Sequence, residues 1–141
     1  MGRIYIHLHG RPKEKSIYTL IEIYSKRLES ESMKLIEHPD NLSPEGFISK
    51  LVKTTKNGVL ILLEQNGKMY NSIEFSSLVK SWRLNSQDIH LAIGPAIGFP
   101  SHDFPTISLS KMTYPHELAA VILIEQVYRS IQIIKGTKYH K

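Results

Sequence analysis

The chain has 141 residues, 41% of them apolar and 22% charged, with seven histidines, no cysteine and a formal net charge of +5. This fits one soluble globular domain over residues 1–141 with a sizeable core. It excludes disulfides and thiolate zinc sites, and it leans toward polyanionic partners such as RNA without requiring one. The first ten residues lack the apolar segment of a secretory signal, and the apolar run from Ala119 is cut by Glu125, too short for a bilayer. A cytoplasmic protein with no membrane partner is expected.

In chain order, Arg3-Ile4-Tyr5-Ile6-His7-Leu8-His9 reads as a strand, broken by Gly10-Arg11-Pro12-Lys13. From Lys15 to Leu28, Ile17, Leu20, Ile21, Tyr24 and Leu28 recur at the spacing of one buried helix face. Met33 to His38 is a second strand, stopped by Pro39-Asp40-Asn41. Ser43 is the N-cap and Pro44 the first residue of a helix that carries Phe47, Ile48, Leu51 and Val52 and ends near Lys56-Asn57-Gly58. Val59 to Leu63 is a continuous apolar run, which predicts a central strand covered on both faces. Gln65-Asn66-Gly67-Lys68 is expected to turn the chain. Ser72 is the expected cap of a third helix with Ile73, Leu78, Val79 and Trp82 facing inward. Ile89 to Ile93 and Thr106 to Leu109 are the remaining strands.

A polar loop, Ser110 to Pro115, leads into a long helix. Pro115 suits its first turn and Gly136 its stop, with the helix running to about Ile134. The stretch Ala119–Ile124 is apolar on every face, so the helix must be covered all round. Either a partner subunit supplies the second cover, or this is a core helix of a monomer. Strands alternate with helices throughout, which predicts an α/β fold with a parallel sheet and helices on both faces.

Ligands of such sheets bind at the carboxyl ends of the strands. The loops after Leu63, Ile93 and Leu109 would meet there, and Gly94 and Gly98 permit close backbone approach. No glycine-rich phosphate-binding fingerprint is present. His7 and His9 share a strand face, but no ligand spacing accompanies them and no metal is expected. His116, in the first helical turn, reads as a neutral histidine with a local hydrogen bond, because a positive charge there opposes the helix dipole. From Gln126 onward there is no acidic residue, while Arg129, Lys135, Lys138 and Lys141 accompany Tyr139 and His140. Cations beside an aromatic suit phosphate contact and base stacking. The plain alternative is a solvated terminus.

Three words are specific enough to indicate a family: Leu-Ser-Lys-Met-Thr-Tyr-Pro-His at 109–116, Leu-Ile-Glu-Gln-Val-Tyr-Arg at 123–129, and the closing Tyr139-His140-Lys141. With them the chain resembles the ribosomal RNA large subunit methyltransferase H (RlmH) family of the SPOUT class. Weaker matches at Gly10–Lys15, Leu63–Lys68 and Ile93-Gly94 extend the likeness over nearly the whole chain. The resemblance implies a SPOUT-type α/β fold with a C-terminal trefoil knot, a homodimer, and S-adenosylmethionine as cofactor. It implies methyl transfer to N3 of a pseudouridine in large-subunit (23S-type) rRNA on the assembled ribosome. Carried over position by position, it gives Leu63, Gly94, Leu109, Ser110, Lys111, Met112, Thr113 and Tyr114 as cofactor-binding. Tyr139 and His140 match the RNA-facing tail and are the expected catalytic residues, His140 having the only near-neutral reference pKa there. Arg129, Lys138 and Lys141 complete the expected RNA-binding set, and the tail of one subunit is expected to complete the pocket of the other. The chain departs from its relatives at Pro95 (a second glycine), Ala120 (arginine), Lys141 (often arginine), and His7 and His9 (apolar). A non-catalytic RNA- or ribosome-binding relative, or a methyltransferase with another RNA target, are the alternatives.

Overall fold

Alternation along the first strand, β1 (Ile4–His9), defines two unlike sheet faces. Ile4, Ile6 and Leu8 are buried on one side, and Tyr5, His7 and His9 lie on the other. The structure, a computed structural model, describes residues 2–141. Its further strands are β2 (Met33–His38), β3 (Val59–Met69), β4 (Ile89–Ile93) and β5 (Thr106–Ser108), and its helices are α1 (Lys15–Leu28), α2 (Pro44–Thr55), α3 (Ser72–Leu84) and α4 (His116–Lys135). All strand pairs are parallel, in the order β2-β1-β4-β3-β5. The expected α/β architecture is therefore present.

On the first face Ile6, Leu91, Ile61 and Ile107 form one core with α1, α3 and α4. On the second, Leu60, Leu62 and Ala92 meet Phe47 and Leu51 of α2, with Phe99 and Phe104 of the loop after β4 packed alongside. Ser43 caps α2 as expected, accepting the Gly46 N–H at 3.0 Å ahead of Pro44. Gly136, with φ +73°, ends α4. α1 has no side-chain cap of its own. The Glu117 carboxylate at the start of α4 accepts from the N–H groups of Lys13 and Glu14 instead, at 3.2 and 3.3 Å.

Several expectations are corrected. Gln65–Lys68 does not turn the chain away, because β3 continues through it to Met69. Its register with β5 shifts there, so Ile107 is partner to both Leu63 and Lys68. Asn71, not Ser72, caps α3, through a reciprocal box with Glu74. Ile73 is exposed, and Phe75, Val79 and Trp82 form the buried stripe. Leu20 and Val52 also lie at the exposed margins of their stripes. α4 packs against α3 and α1, with Ala120, Val121, Leu123, Ile124, Val127 and Ile131 buried. Much of its second cover thus comes from within the chain, and Ala119 and Ile122 stay half-buried.

The face under α2 carries a polar layer. His38 of β2, His7 of β1 and His90 of β4 are hydrogen-bonded in series: His7 Nδ1 lies 2.8 Å from His38 Nε2, and His7 Nε2 lies 2.8 Å from His90 Nδ1. A neutral imidazole has one donor and one acceptor, so three rings can be satisfied in this row without a net charge. Tyr5 stacks on His90 at 4.6 Å, and Phe47 sets its edge against His38 and His9. His9 Nε2–H donates to the Leu42 carbonyl at 2.7 Å. Burial, reinforced by His38 and His90, pushes His7 down to about 3. Burial also lowers His38, helped by Lys50 of α2 and by His9, and lowers His90 against an opposing pull from Asp88.

These rings are neutral when folded and take up protons readily only when unfolded. Below the free value of 6.5 the unfolded state binds more protons, so stability must fall as pH falls. Stability should be flat above about pH 7 and decline below it, by up to about 1.4 kcal/mol per pH unit for each titrating ring. His7→Phe should cost about 1–3 kcal/mol at high pH by leaving two ring nitrogens unpartnered. It should also flatten the acid slope. Denaturant melts of both proteins from pH 4 to 8 check this, and an undiminished slope in the variant would exclude His7 as its source.

Candidate functional site

The carboxyl ends of β4 and β5 flank Leu63–Gln65 in the middle of β3, and these residues with the loops after β4 and β5 enclose a cavity of about 340 Å³. Leu63, Gly94, Leu109, Ser110, Met112, Thr113 and Tyr114 all line it, together with the first turn of α4 at His116 and Ala119. Of the expected cofactor positions only Lys111 lies off the wall, with its side chain exposed. His116 lines the cavity and has no hydrogen-bond partner among the described residues, contrary to the expected local bond. Volume and mixed lining suit a nucleoside-sized ligand.

The loop 110–114 is held rigidly. Ser108 Oγ–H donates to the Ser110 carbonyl, and the Met112 N–H donates to Ser110 Oγ, each at 2.8 Å. Gln65 spans the loop from outside. Its Nε2 donates to the Lys111 carbonyl at 2.9 Å, and its Oε1 accepts from Thr113 Oγ1 at 2.8 Å. On the opposite rim the Gly98 N–H closes a turn on the Pro95 carbonyl at 2.8 Å, with Gly98 at φ +87°. A Cβ at Gly94 would lie 2.9 Å from the Phe99 ring, so the wall can be this close only with glycine there. Phe99 in turn stacks on Phe47 of α2. Midway along β3, Glu64 is hydrogen-bonded to His102 of this rim. Gln65, Glu64 and His102 were not singled out from sequence: their roles depend on tertiary partners far along the chain.

The tail folds back on the other half of α4. Arg129 pairs with Glu125 at 2.9 Å and lies over the Tyr139 ring at 4.9 Å. Tyr139 O–H donates to Glu125 Oε2 at 2.7 Å and approaches the Tyr24 hydroxyl. Arg129 Nη1–H donates to His140 Nδ1 at 3.1 Å, which leaves the imidazole hydrogen on Nε2. Burial, then the bonds to Tyr24 and Glu125, hold the Tyr139 phenol well above its usual value. Its bond to Glu125 likewise raises the Arg129 guanidinium. Tyr139 is therefore a fixed donor, not a base. Lys138 and Lys141 are exposed. The structure brings Arg129, Tyr139 and His140 together but not to the pocket of the same chain. Ala119 and Arg129 are ten positions apart on α4, about 15 Å along its axis.

Among the described residues, no group of three or more His, Asp or Glu side chains is placed to hold a metal, and no helix is long and apolar enough to cross a membrane. Residues 3–140 match the family described as "Predicted SPOUT methyltransferase". The chain belongs to the SPOUT methyltransferases. Within that family it is similar to proteins named ribosomal RNA large subunit methyltransferase H. One from Prochlorococcus marinus strain MIT 9515 is 34% identical over 144 residues, covering 99% of this chain and 96% of the relative. One from Clostridium botulinum strain Langeland is 35% identical over 151 residues, covering 94% and 95%. One from Coprothermobacter proteolyticus is 46% identical over 94 residues, covering 62% and 67%. These matches place the chain in the methyltransferase H family that its C-terminal words resemble.

Glu125 is the common partner of Arg129 on α4 and Tyr139 of the tail. Glu125→Ala should release residues 137–141 while costing the fold only about 1–2 kcal/mol, because the ion pair is partly exposed. Backbone order parameters from NMR relaxation should fall at 138–141 and stay unchanged in β4. Unchanged order in the variant would mean that another contact holds the tail.

Proposed function

We propose that this protein transfers a methyl group from S-adenosylmethionine to N3 of a pseudouridine in large-subunit rRNA. The single observation that carries the reading is the pocket: the family's cofactor positions other than Lys111, separated by up to 51 residues in sequence from Leu63 to Tyr114, converge on one nucleoside-sized cavity. The residues present fit the cofactor. Backbone groups of Leu109–Tyr114 can read an adenine edge, Leu63, Ile93 and Leu109 offer apolar surface, and Gly94 lets the Phe99 ring pack close against the wall. When bound, S-adenosylmethionine supplies an activated methyl group, so the chain's own contribution is chiefly alignment of donor and acceptor.

The tail is assigned to the RNA. Arg129 engages His140 at Nδ1 and leaves its Nε2–H without a partner among the described residues, which suits donation to a base carbonyl or a phosphate and makes His140 a positioning group. Tyr139 braces Arg129, and Lys138 and Lys141 offer charge for phosphates. Because the tail lies far along α4 from its own pocket, action on the reacting atoms requires the tail of a second copy, so the working form is read as a homodimer. A trefoil knot belongs to the same reading. The assembled ribosome or its large subunit as partner, and a single cytoplasmic domain, complete it. Pro95, which has no N–H at the pocket rim, favours the non-catalytic RNA-binding reading as the competitor.

Calorimetric titration with S-adenosylmethionine should show saturable binding, lost on Ser110–Tyr114 loop disruption. No binding, either free or with ribosomal subunits, would favour the competitor. Mass analysis of rRNA from a strain lacking the protein should show loss of one methyl group on a pseudouridine, and unchanged rRNA would remove the proposed target. For the tail, Gly94→Val should abolish cofactor binding, and deletion of Tyr139–Lys141 should abolish transfer while sparing binding. Mixing the two inactive proteins should restore activity in heterodimers. Failure to restore it would mean that each tail serves its own pocket.

A further inference from the structure

The cavity contains one fixed ionic group. Among the described residues Glu64 is the only carboxylate lining it, and no lysine or arginine does. The wall is otherwise made of backbone, hydroxyl, amide and apolar groups, with His116 at the first turn of α4. A nucleoside ligand with a positive charge is therefore favoured over a neutral one of the same shape, provided that the carboxylate is held in place.

The structure holds it in place. Glu64 ends the apolar part of β3 and is about a third exposed, toward the cavity. His102, on the rim loop, is buried to 8% side-chain exposure and walled by Phe99 and Phe104. The Phe104 N–H donates to His102 Nδ1 at 3.0 Å. That bond places the imidazole hydrogen on Nε2, which donates to Glu64 Oε1. The tautomer is set by the loop's own backbone, and no charge on the ring is needed. Glu64 Oε2 has no partner among the described residues. One carboxylate oxygen is thus anchored and the other is left to bind a ligand.

We propose that Glu64, oriented by His102, is the group through which this pocket binds the cationic part of its nucleoside ligand. The inference rests on the cofactor reading above and adds the origin of its charge selectivity. His102 is a positioning residue: it reaches the ligand only through Glu64.

The test compares S-adenosylmethionine with 5′-methylthioadenosine, which shares the adenosine and sulfur but lacks the sulfonium charge and the amino-acid arm, and with S-adenosylhomocysteine, which keeps the arm on a neutral sulfur and so separates the charge from the arm. Calorimetry should show the wild-type protein binding S-adenosylmethionine more tightly. Glu64→Gln keeps an oxygen for His102 but loses the charge. It should weaken S-adenosylmethionine about 10-fold or more and leave 5′-methylthioadenosine unchanged. His102→Phe should shift selectivity the same way to a smaller extent, and His102→Gln, whose amide N–H can still donate, should recover part of it. Equal effects of Glu64→Gln on S-adenosylmethionine and 5′-methylthioadenosine, or none on either, would overturn the proposal. Wild-type binding of 5′-methylthioadenosine without preference for S-adenosylmethionine would overturn it too, while the nucleoside pocket would stand. Wild-type binding of neither would overturn both.

Discussion

The site depends on one place where backbone meets backbone. A Cβ on Gly67 would lie 2.6 Å from the Ile107 carbonyl carbon and 2.9 Å from the Ser108 nitrogen. No larger residue fits without moving β5. The short segment Leu63–Lys68 is consequently the hub of the pocket. Leu63 forms its floor and Glu64 reaches the rim loop through His102. Gln65 ties down the loop at 110–114, and Gly67 and Lys68 seat the three residues of β5. The pocket loops are separated in sequence but share this single brace, so disturbance of β5 would propagate to every wall.

The two sheet faces solve burial differently. The face under α1, α3 and α4 is filled with aliphatic side chains, and non-directional packing suffices there. The face under α2 buries three imidazoles, each of which needs a partner. Parallel register supplies the partners. His9 pairs with His38 and Tyr5 with His90, so His7 falls diagonally between His38 and His90. A slip of one residue would point these rings to the opposite face and leave their nitrogens unpaired, so the layer adds directional specificity to a face covered by only one helix. Its cost is sensitivity to acid. Phe47 joins this layer to the pocket, since the same ring that abuts His38 stacks on Phe99 beneath Gly94.

Local signals were legible in the sequence wherever local physics decides. The apolar run at Val59–Leu63, the Ser43-Pro44 helix start and the Gly136 stop all lie where the residue types place them. The convergence of the loops after Ile93 and Leu109 followed from parallel α/β topology, and the C-terminal words identified the family. What was illegible depended on distant partners. Gln-Asn-Gly-Lys has the composition of a turn, yet pairing with β5 draws it into the sheet. The Asn71-x-x-Glu74 box was present as a pattern, but Ser72 beside it carries the same preference, and its hydroxyl instead donates to Gln126 on α4. The histidine row needed the register of three strands. The Glu64–His102 pair needed a loop with no periodicity to fold back over 38 positions.

The tail and the pocket are built at opposite ends of one helix, which bears on how a reaction could use both. α4 delivers Ala119 to the cavity and Arg129 to the tail cluster, and a rigid helix cannot bring its own ends together. The tail is also not poised to swing. Tyr139 is anchored to Glu125, packed edge-on against Tyr128 and covered by Arg129. Releasing it would leave the Glu125 carboxylate and the guanidinium without these partners. A fixed tail and a distant pocket are most simply reconciled by two copies arranged so that each tail meets the other's cavity. In that arrangement the unpartnered Nε2–H of His140 and the charges of Lys138 and Lys141 would face RNA entering from one side. The Glu64 carboxylate would hold the methyl donor from the other. Donor and acceptor would then be aligned by groups from different chains, each already rigid before substrate arrives.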